Sequence, residues 1–253
     1  MILHATTTGD GLDLLLLHSL FGSGKNLGAI ARGLAAKFRV NSLDLRNHGS
    51  SGHAADMRYA TMAADVLETM DALGIDHAVV AGHSMGGKAA MMMALTAPAR
   101  VSALVAMDIA PIAYNHEYDG YLAAMRALPL QPGLTRHEAD AALAGAARDA
   151  AMRAFLLNNL ILAPAPHWRL GLDEIAGAMD DLIDWRDPEP LAPYDGPALF
   201  LCGGNSPYVT APAYTPIRAR FPNATIETLD GVGHWLHAEQ PGAVIAALKE
   251  FLR

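Results

Sequence analysis

Cysteine is nearly absent from this sequence, and long apolar runs and basic clusters are missing altogether. The 253 residues include a single cysteine, Cys202, so no internal disulfide can form, which is typical of a reducing compartment such as the cytoplasm. Its place inside an apolar run predicts a buried core residue. No apolar stretch reaches the roughly eighteen residues of a bilayer span, so we expect no transmembrane helix. The start of the chain also lacks the features of a signal peptide.

The charge balance is acidic. Eighteen Lys and Arg stand against 26 Asp and Glu, for a formal net charge of −8. Nucleic acids and anionic membranes require clustered basic residues, so we expect neither as a main partner. With 52% hydrophobic residues the chain is long enough for one large α/β domain or two small ones.

Short apolar runs alternate with helical patterns along most of the chain, which predicts βα units and a mostly parallel sheet flanked by helices. The run "LDLLLLHS" (12–19) is apolar on every position of its centre and predicts a central strand covered on both faces. Further strands are predicted at "FRVNSLDL", "HAVVAGHS", "VSALVAMDIAP", "PALFLCGG" and "ATIETLDG", and helices at "MAADVLETMDALG", "GGKAAMMMALTAP" and "AEQPGAVIAALKEFLR".

The segment 112–193 interrupts this alternation with helical patterns and no convincing strand. Thr135 followed by Glu138 is typical of a capping box at a helix start. We therefore predict a core domain made of residues 1–111 and 194–253, with a helical cap at 112–193 inserted between two strands. An insertion at the carboxyl edge of a parallel sheet often covers a site there.

The clearest chemical motif is Gly82-His83-Ser84-Met85-Gly86, which matches G-x-S-x-G between a predicted strand and a predicted helix. Small residues on both sides of the serine allow the tight turn that exposes its hydroxyl. Ser84 is therefore the candidate nucleophile; the alternative is a glycine-rich turn with an incidental serine. The backbone N–H groups of Met85 and of Leu20, in the loop after the first central strand, are the candidate oxyanion donors.

A serine nucleophile needs a base. His234, in the loop after the last predicted strand, is the candidate, and His237 is its competitor. The glycines before His234 favour a loop there, whereas His237 is expected to begin a helix. The two histidines lack a third ligand at suitable spacing, so we expect no metal and no other cofactor.

Several segments together resemble one branch of the α/β-hydrolase superfamily, the serine esterases related to abhydrolase domain-containing protein eleven and its bacterial esterase relatives. They are "HSLFGS", "DLRNHGSSGH", "GHSMGGKAAM", "MDIAP", "FLLNNL", "FLCGGNSPYV" and "GHWLHAEQP", which span nearly the whole chain. The resemblance implies the α/β-hydrolase fold, with the helical cap inserted after the sixth strand of that fold. It also implies that Arg46, Asn47 and His48 brace loops and that Lys88 makes a structural contact.

The resemblance also indicates which residue is the acid that orients the base, the third member of a catalytic triad with Ser84 and His234. Most superfamily members carry it at the place of Ser206, which cannot hold a charge. Some carry it one strand earlier, where Asp108 ends an apolar strand. A carboxylate there requires a partner, and His234 is a suitable one. Asp108 is therefore the candidate acid, against the alternative of a turn cap, and Ser206 is a candidate auxiliary hydrogen-bonding group.

The implied activity is hydrolysis of a small acyl ester or acyl thioester through an acyl-enzyme, by a monomer or homodimer. Alternatives on the same residues are perhydrolysis, enol-lactone opening and carbon–carbon bond hydrolysis, and a non-catalytic binding protein is a further one. Ser19 stands where relatives have glycine, which keeps enol-lactone hydrolases among the alternatives. Arg126 and Arg153 are candidates to meet an anionic substrate group, or else solvated surface residues.

Overall fold

The centre of the protein is a twisted sheet. A computed structural model describes residues 1–115 and 118–253, and within these residues seven strands form the main sheet. They are β1 (Ala5–Thr8), β2 (Leu12–Leu17), β3 (Phe38–Leu43), β4 (Ala78–His83), β5 (Val101–Met107), β8 (Ala198–Gly203) and β9 (Ala224–Leu229), with β6 (Leu160–Ile161) and β7 (His167–Trp168) forming a separate hairpin. The spatial order is β1-β3-β2-β4-β5-β8-β9.

The strands of this sheet are parallel apart from the edge strand β1, which pairs antiparallel with β3. This confirms the predicted mostly parallel sheet. The short and polar β1 was not predicted, because its sequence ATTT has no apolar alternation.

The apolar run in β2 is explained by burial on both faces. Leu15 and Leu17 pack into the hydrophobic core on one side of the sheet, whereas Leu14 and Leu16 pack into the core on the other side. Successive side chains of a strand point to opposite faces, so a strand covered by helices on both sides has to be apolar at every position.

Helices cover both faces. The helices of the described chain are α1 (Gly28–Leu34), α2 (Tyr59–Leu73), α3 (Met85–Thr96), α4 (Asp119–Ala127), α5 (Arg136–Leu143), α6 (Ala150–Leu157), α7 (Leu172–Gly177), α8 (Met179–Ile183), α9 (Ala211–Arg220), α10 (Leu236–Glu239) and α11 (Pro241–Phe251), with 3-10 turns at Gly24–Leu27 and Pro98–Arg100. Helices α1 and α11 contribute to one core, and α2, α3 and α9 contribute to the other. In the described part of the chain, none is long and apolar enough to cross a membrane.

The segment between β5 and β8 holds α4 to α8 and the β6–β7 hairpin. In the described chain this insertion follows the fifth strand and not the sixth, since only the single strand β1 precedes β2. The hairpin also corrects the expectation of an insertion without strands: its strands have two residues each, too short for a periodic signal. The capping box of Thr135 and Glu138 is present at the start of α5.

Several hydrogen bonds attach this insertion to the core, and three of them lie in different parts of it. The Tyr59 hydroxyl donates to the Leu182 carbonyl at 2.6 Å. The Gly171 N–H donates to the Asn47 carbonyl at 2.9 Å. The side-chain amide of Asn159 donates to the Phe21 carbonyl at 2.7 Å. The insertion is thereby held over the carboxyl ends of the parallel strands, where ligands bind in open α/β sheets.

Candidate active site

Ser84 lies in a sharp turn between β4 and α3, with φ of 52° and ψ of −117°. The flanking glycines explain how the chain makes this turn. A Cβ on Gly82 would lie 2.1 Å from the Gly86 carbonyl oxygen, and a Cβ on Gly86 would lie 2.3 Å from the Leu17 carbonyl oxygen. No side chain fits at either place, because backbone atoms on both sides are held by the sheet and the helix. The turn places Ser84 in the lining of the cavity beneath the insertion.

Asp108 follows β5 and is fully buried, and it too has a positive φ, of 52°. His234 donates its Nδ1–H to Asp108 Oδ2 at 2.6 Å. The Ser206 hydroxyl donates to the same oxygen, and the Gly203 N–H donates to Oδ1 at 2.9 Å. The structure therefore brings Asp108, His234 and Ser206 together. A carboxylate buried this deeply requires such donors, because its desolvation is costly.

His234 is held through both its ring and its backbone. It stacks on the Tyr208 ring with a centroid separation of 3.7 Å and an interplanar angle of 9°. His83 donates its Nε2–H to the His234 carbonyl oxygen at 2.8 Å. His234 lines the same cavity as Ser84. Neither the stacking of Tyr208 nor the bond from His83 was expected from the sequence, because each joins residues far apart in the chain.

His237, the competitor for the role of base, lies at 8% exposure with its ring 4.4 Å from the His83 ring between centroids. Burial lowers its pKa to about 4, and His234 adds to that effect. Burial also holds the pKa of His83 well below its ordinary value. Within residues 1–115 and 118–253 no group of three or more His, Cys, Asp or Glu side chains could hold a metal ion.

The loop after β2 carries Leu20, and its backbone is tightly held. The next residue, Phe21, has a φ of 60°, which is unusual for a side chain of this size. His48 Nε2 accepts the Phe21 N–H at 3.1 Å, and Asn159 donates to the Phe21 carbonyl. The Gly22 N–H is also occupied, by the Ser19 carbonyl at 2.9 Å. Leu20 itself lines the cavity next to Ser84.

His18 and His48 share one bonding pattern. His18 donates through Nδ1 to the Ser19 carbonyl at 2.8 Å and accepts the Leu45 N–H at Nε2 at 2.9 Å. His48 donates through Nδ1 to the Arg46 carbonyl at 2.8 Å. A ring that must accept at one nitrogen stays neutral. Accordingly burial lowers the pKa of His18, and it lowers the pKa of His48 to about 3.

The residues of the "RNH" segment hold loops, in line with the expectation that they brace rather than react. Arg46 binds Asp65 through two bonds, of 2.6 and 2.8 Å, and also donates to the Asp56 carbonyl. Asn47, at φ of 65°, exchanges two 2.8 Å bonds with the backbone of Ala54. Both residues are buried, and their bonds fix the loop that carries His48.

The cavity in front of Ser84 has a volume of about 340 Å³. Its lining is largely aromatic and apolar and comprises Ser19, Leu20, Phe21, Ser84, Tyr118, Tyr121, Met152, Phe155, Tyr208, His234 and Trp235. A narrower cleft continues from Ser84 and Met85 along α3 to Lys88. Both spaces are of the mostly apolar kind, with a few polar groups, that binds small molecules.

Besides Arg46, three cationic side chains were singled out from the sequence, and in the structure they differ in their partners and in their position relative to the cleft. Arg126 is half-exposed and pairs with Asp173 at 2.8 Å, and Arg153 pairs with Asp140 at 2.9 Å. Lys88 makes a structural contact, as expected: it donates to the Ile183 and Asp184 carbonyls of the insertion. It also lines the cleft that begins at Ser84, which was not expected. Cys202 is buried, as predicted, in β8.

The α/β hydrolase fold family matches this chain over residues 14–241, so the chain belongs to that family. It is 38% identical to "Esterase YbfF" of Escherichia coli (strain K12), over 94% of this chain and 92% of that protein. It is 41% identical to "sn-1-specific diacylglycerol lipase ABHD11" of Xenopus laevis, over 96% of this chain and 80% of that protein. A solved structure titled "Marine microorganism esterase" superposes with a TM-score of 0.95 at 34% identity and covers 99% of both chains.

Proposed function

We propose that this protein hydrolyses carboxylic esters or acyl thioesters through an acyl-enzyme on Ser84. The observation that carries the proposal is the 2.6 Å bond from His234 to the fully buried Asp108, in a cavity that Ser84 lines from a strained turn. The three similar proteins named above, two esterases and a lipase, support the same reaction class. No metal or other cofactor enters the proposed reaction.

In the first half-reaction Ser84 Oγ attacks the carbonyl carbon and His234 Nε2 takes its proton. His234 Nδ1–H is held by Asp108, which selects the tautomer with a free Nε2 and stabilises the imidazolium that forms. His234 then gives the proton to the departing alcohol or thiol. In the second half-reaction the same nitrogen removes a proton from water, which attacks the acyl-enzyme. His234 then returns that proton to Ser84 Oγ as the bond to the acyl group breaks and the acid is released.

The negative oxygen of each tetrahedral intermediate is bound by the N–H groups of Leu20 and Met85. Met85 begins α3, so its N–H is one of those that a helix leaves without an internal partner. Leu20 precedes two residues whose N–H groups are occupied elsewhere, and the turn is held by the bonds at Phe21. Such donors stabilise the transition state because they are oriented before the reaction begins.

Ser206 assists by donating to Asp108 Oδ2, the oxygen that also receives His234. We propose that this bond fixes the carboxylate rotamer and leaves the negative charge on Asp108. The segment 112–193 acts as a cap whose aromatic side chains form the acyl pocket. The protein works in the cytoplasm, which the single buried cysteine supports.

The test uses p-nitrophenyl esters of increasing acyl length with wild type, Ser84→Ala and Ser102→Ala. Ser102 is an exposed serine on β5 and serves as the matched control. We expect wild type and Ser102→Ala to hydrolyse at least one ester, and Ser84→Ala to lose at least about 10⁴-fold in kcat. A fluorophosphonate probe is expected to label wild type but not Ser84→Ala.

Three results would contradict or redirect this proposal. Wild type that neither hydrolyses an ester nor accepts the probe would favour a binding protein. Probe labelling without ester hydrolysis would direct the search to thioesters, enol-lactones and carbon–carbon bond substrates, which the same residues can serve. An activity that persists in Ser84→Ala would exclude the acyl-enzyme on this serine.

A further inference from the structure

Lys88 is a buried cation one helical turn beyond Ser84. Its backbone N–H donates to the Ser84 carbonyl at 3.0 Å, as expected for residues four apart in α3, and only 1% of the residue is exposed. Helical side chains lean towards the amino end of the helix, so that of Lys88 leans towards the turn that carries Ser84. Both residues line the narrow cleft.

The ammonium group has polar neighbours but no anionic partner. Nζ donates to the carbonyls of Ile183 at 3.2 Å and Asp184 at 2.8 Å, and it lies 5.3 Å from the Tyr59 ring centre and 4.9 Å from that of Tyr114. An ammonium has three N–H groups, so two bonds leave one for a further acceptor. Among the described residues, no carboxylate lies within ion-pair distance of it.

The nearest negative side chain is used elsewhere. The Asp184 carboxylate accepts the Trp185 N–H at 2.8 Å and pairs with Arg186 at 3.1 Å. Burial therefore dominates and lowers the pKa of Lys88 to about 7, against the opposing effect of Asp184. A buried cation without a counter-ion is unfavourable, and an anion entering the cleft would relieve that cost.

We propose that the cleft binds an acyl group whose far end carries a carboxylate, and that Lys88 recognises this carboxylate. The substrates would be half-esters or half-thioesters of short dicarboxylic acids. The inference rests on the proposed function, because it assigns the scissile carbonyl to Ser84.

The apolar lining of the cleft suits such a chain. Leu20, Ile109 and Leu182 form apolar walls for the methylene groups. Four residues of helix rise by about 6 Å, so a chain that reaches from Ser84 to the Lys88 ammonium has to be short. The two arginines of the insertion do not compete for the role, because Asp173 and Asp140 already neutralise them.

The experiment compares kcat/KM for the monoethyl esters of succinic, glutaric and adipic acid with that for ethyl butanoate, pentanoate and hexanoate. Ethanol release is measured at pH 6.5 for wild type, Lys88→Met and Arg126→Met. Met keeps the apolar stem of Lys88 without the charge, and Arg126 is the exposed control. We expect wild type to prefer the carboxylate ester at one chain length or more. A charge-assisted bond corresponds to a fall in this preference of about 10- to 100-fold in Lys88→Met, with no change in Arg126→Met.

The inference is wrong if wild type prefers the neutral ester at every length, or if Lys88→Met keeps the wild-type preference. Where Lys88→Met does not fold, the wild-type ratio alone decides: a preference for any carboxylate ester supports the inference, and the reverse at all lengths overturns it. Neutral esters hydrolysed without a carboxylate preference would overturn only this inference. Wild type inert towards both series would overturn the proposed function together with it.

Discussion

His234 and Asp108 are 126 positions apart in the chain, yet His234 Nδ1 donates to Asp108 Oδ2 at 2.6 Å. The carboxylate is completely buried and also receives the Ser206 hydroxyl and the Gly203 N–H. Asp108 therefore occupies the position from which a carboxylate can orient His234, the proposed base, although it follows β5 rather than β8. The place after β8 is taken by Ser206, which contributes a donor instead of a charge.

Replacing this carboxylate separates its role from that of Ser206. We expect Asp108→Asn to lower kcat by roughly 10³- to 10⁴-fold, because an amide does not stabilise the imidazolium and favours the wrong tautomer. Ser206→Ala removes one hydrogen bond to a charged group and is expected to cost about 10-fold. Ester hydrolysis is the measurement, and Asp76→Asn, at a side chain 97% exposed, is the control. Equal losses in Asp108→Asn and Ser206→Ala would contradict the assignment of the acid.

Asn159 connects the insertion to the loop of Leu20 through the Phe21 carbonyl, at 2.7 Å. In Asn159→Asp an acceptor would face that carbonyl, so we expect the loop to shift and kcat to fall about 10- to 100-fold, with a smaller change in KM. The neighbouring Asn158→Asp, at an exposed site, is the control and is expected to keep the wild-type kcat. A change confined to KM would show that Asn159 acts on the pocket and not on the oxyanion donors.

Replacing glycine by alanine is expected to have opposite effects on stability at Gly86, in the turn at Ser84, and at Gly177, far from it in the chain. In Gly86→Ala the new Cβ would lie 2.3 Å from the Leu17 carbonyl oxygen, and we expect a loss of about 2 kcal/mol or more in the free energy of unfolding. At Gly177, in α7, nothing lies within 4 Å of an added Cβ. Gly177→Ala is expected to stabilise by up to about 1 kcal/mol. Urea unfolding measures both, and similar values would contradict the steric explanation.

Buried neutral histidines predict that stability falls in acid. The pKa of His48 lies at about 3 in the folded protein, below the ordinary value of 6.5, because of burial. The unfolded chain takes up this proton below pH 6.5 and the folded protein does not. The stabilisation is therefore complete above pH 6.5 and is lost as the pH falls towards 3, by at most about 1.4 kcal/mol per pH unit for one group.

This dependence is measured by urea unfolding at pH 7.0, 6.0 and 5.0. The folded-state pKa of His237, about 4, acts in the same direction, so the wild-type slope sums several groups. We expect His48→Gln to be less stable at pH 7.0 but to lose less stability on acidification. His77→Gln, at an exposed position, is the control. A free energy of unfolding that does not change between pH 7.0 and 5.0 would contradict the prediction.

The sequence alone was informative where structure depends on neighbours in the chain. The glycines around Ser84 act within five residues, so the strand, turn and helix were all predictable from "GHSMGG". The apolar run of β2 likewise predicts burial on both faces, and this prediction does not require knowing which strands lie beside it. The same locality explains what was missed. β1 and the β6–β7 hairpin are too short or too polar for periodicity to detect.

The sequence by itself thus determined the parallel sheet, the turn that presents Ser84, and candidate partners for it. Only the tertiary structure decided that Asn159 holds the loop of Leu20, that Tyr208 stacks on His234, and that Lys88 lines the cleft beside Ser84. Each of these contacts joins elements whose distance in space depends on how the insertion packs on the sheet. Local propensities carry no information about that packing, because it is set by side chains that meet only after the whole chain has folded.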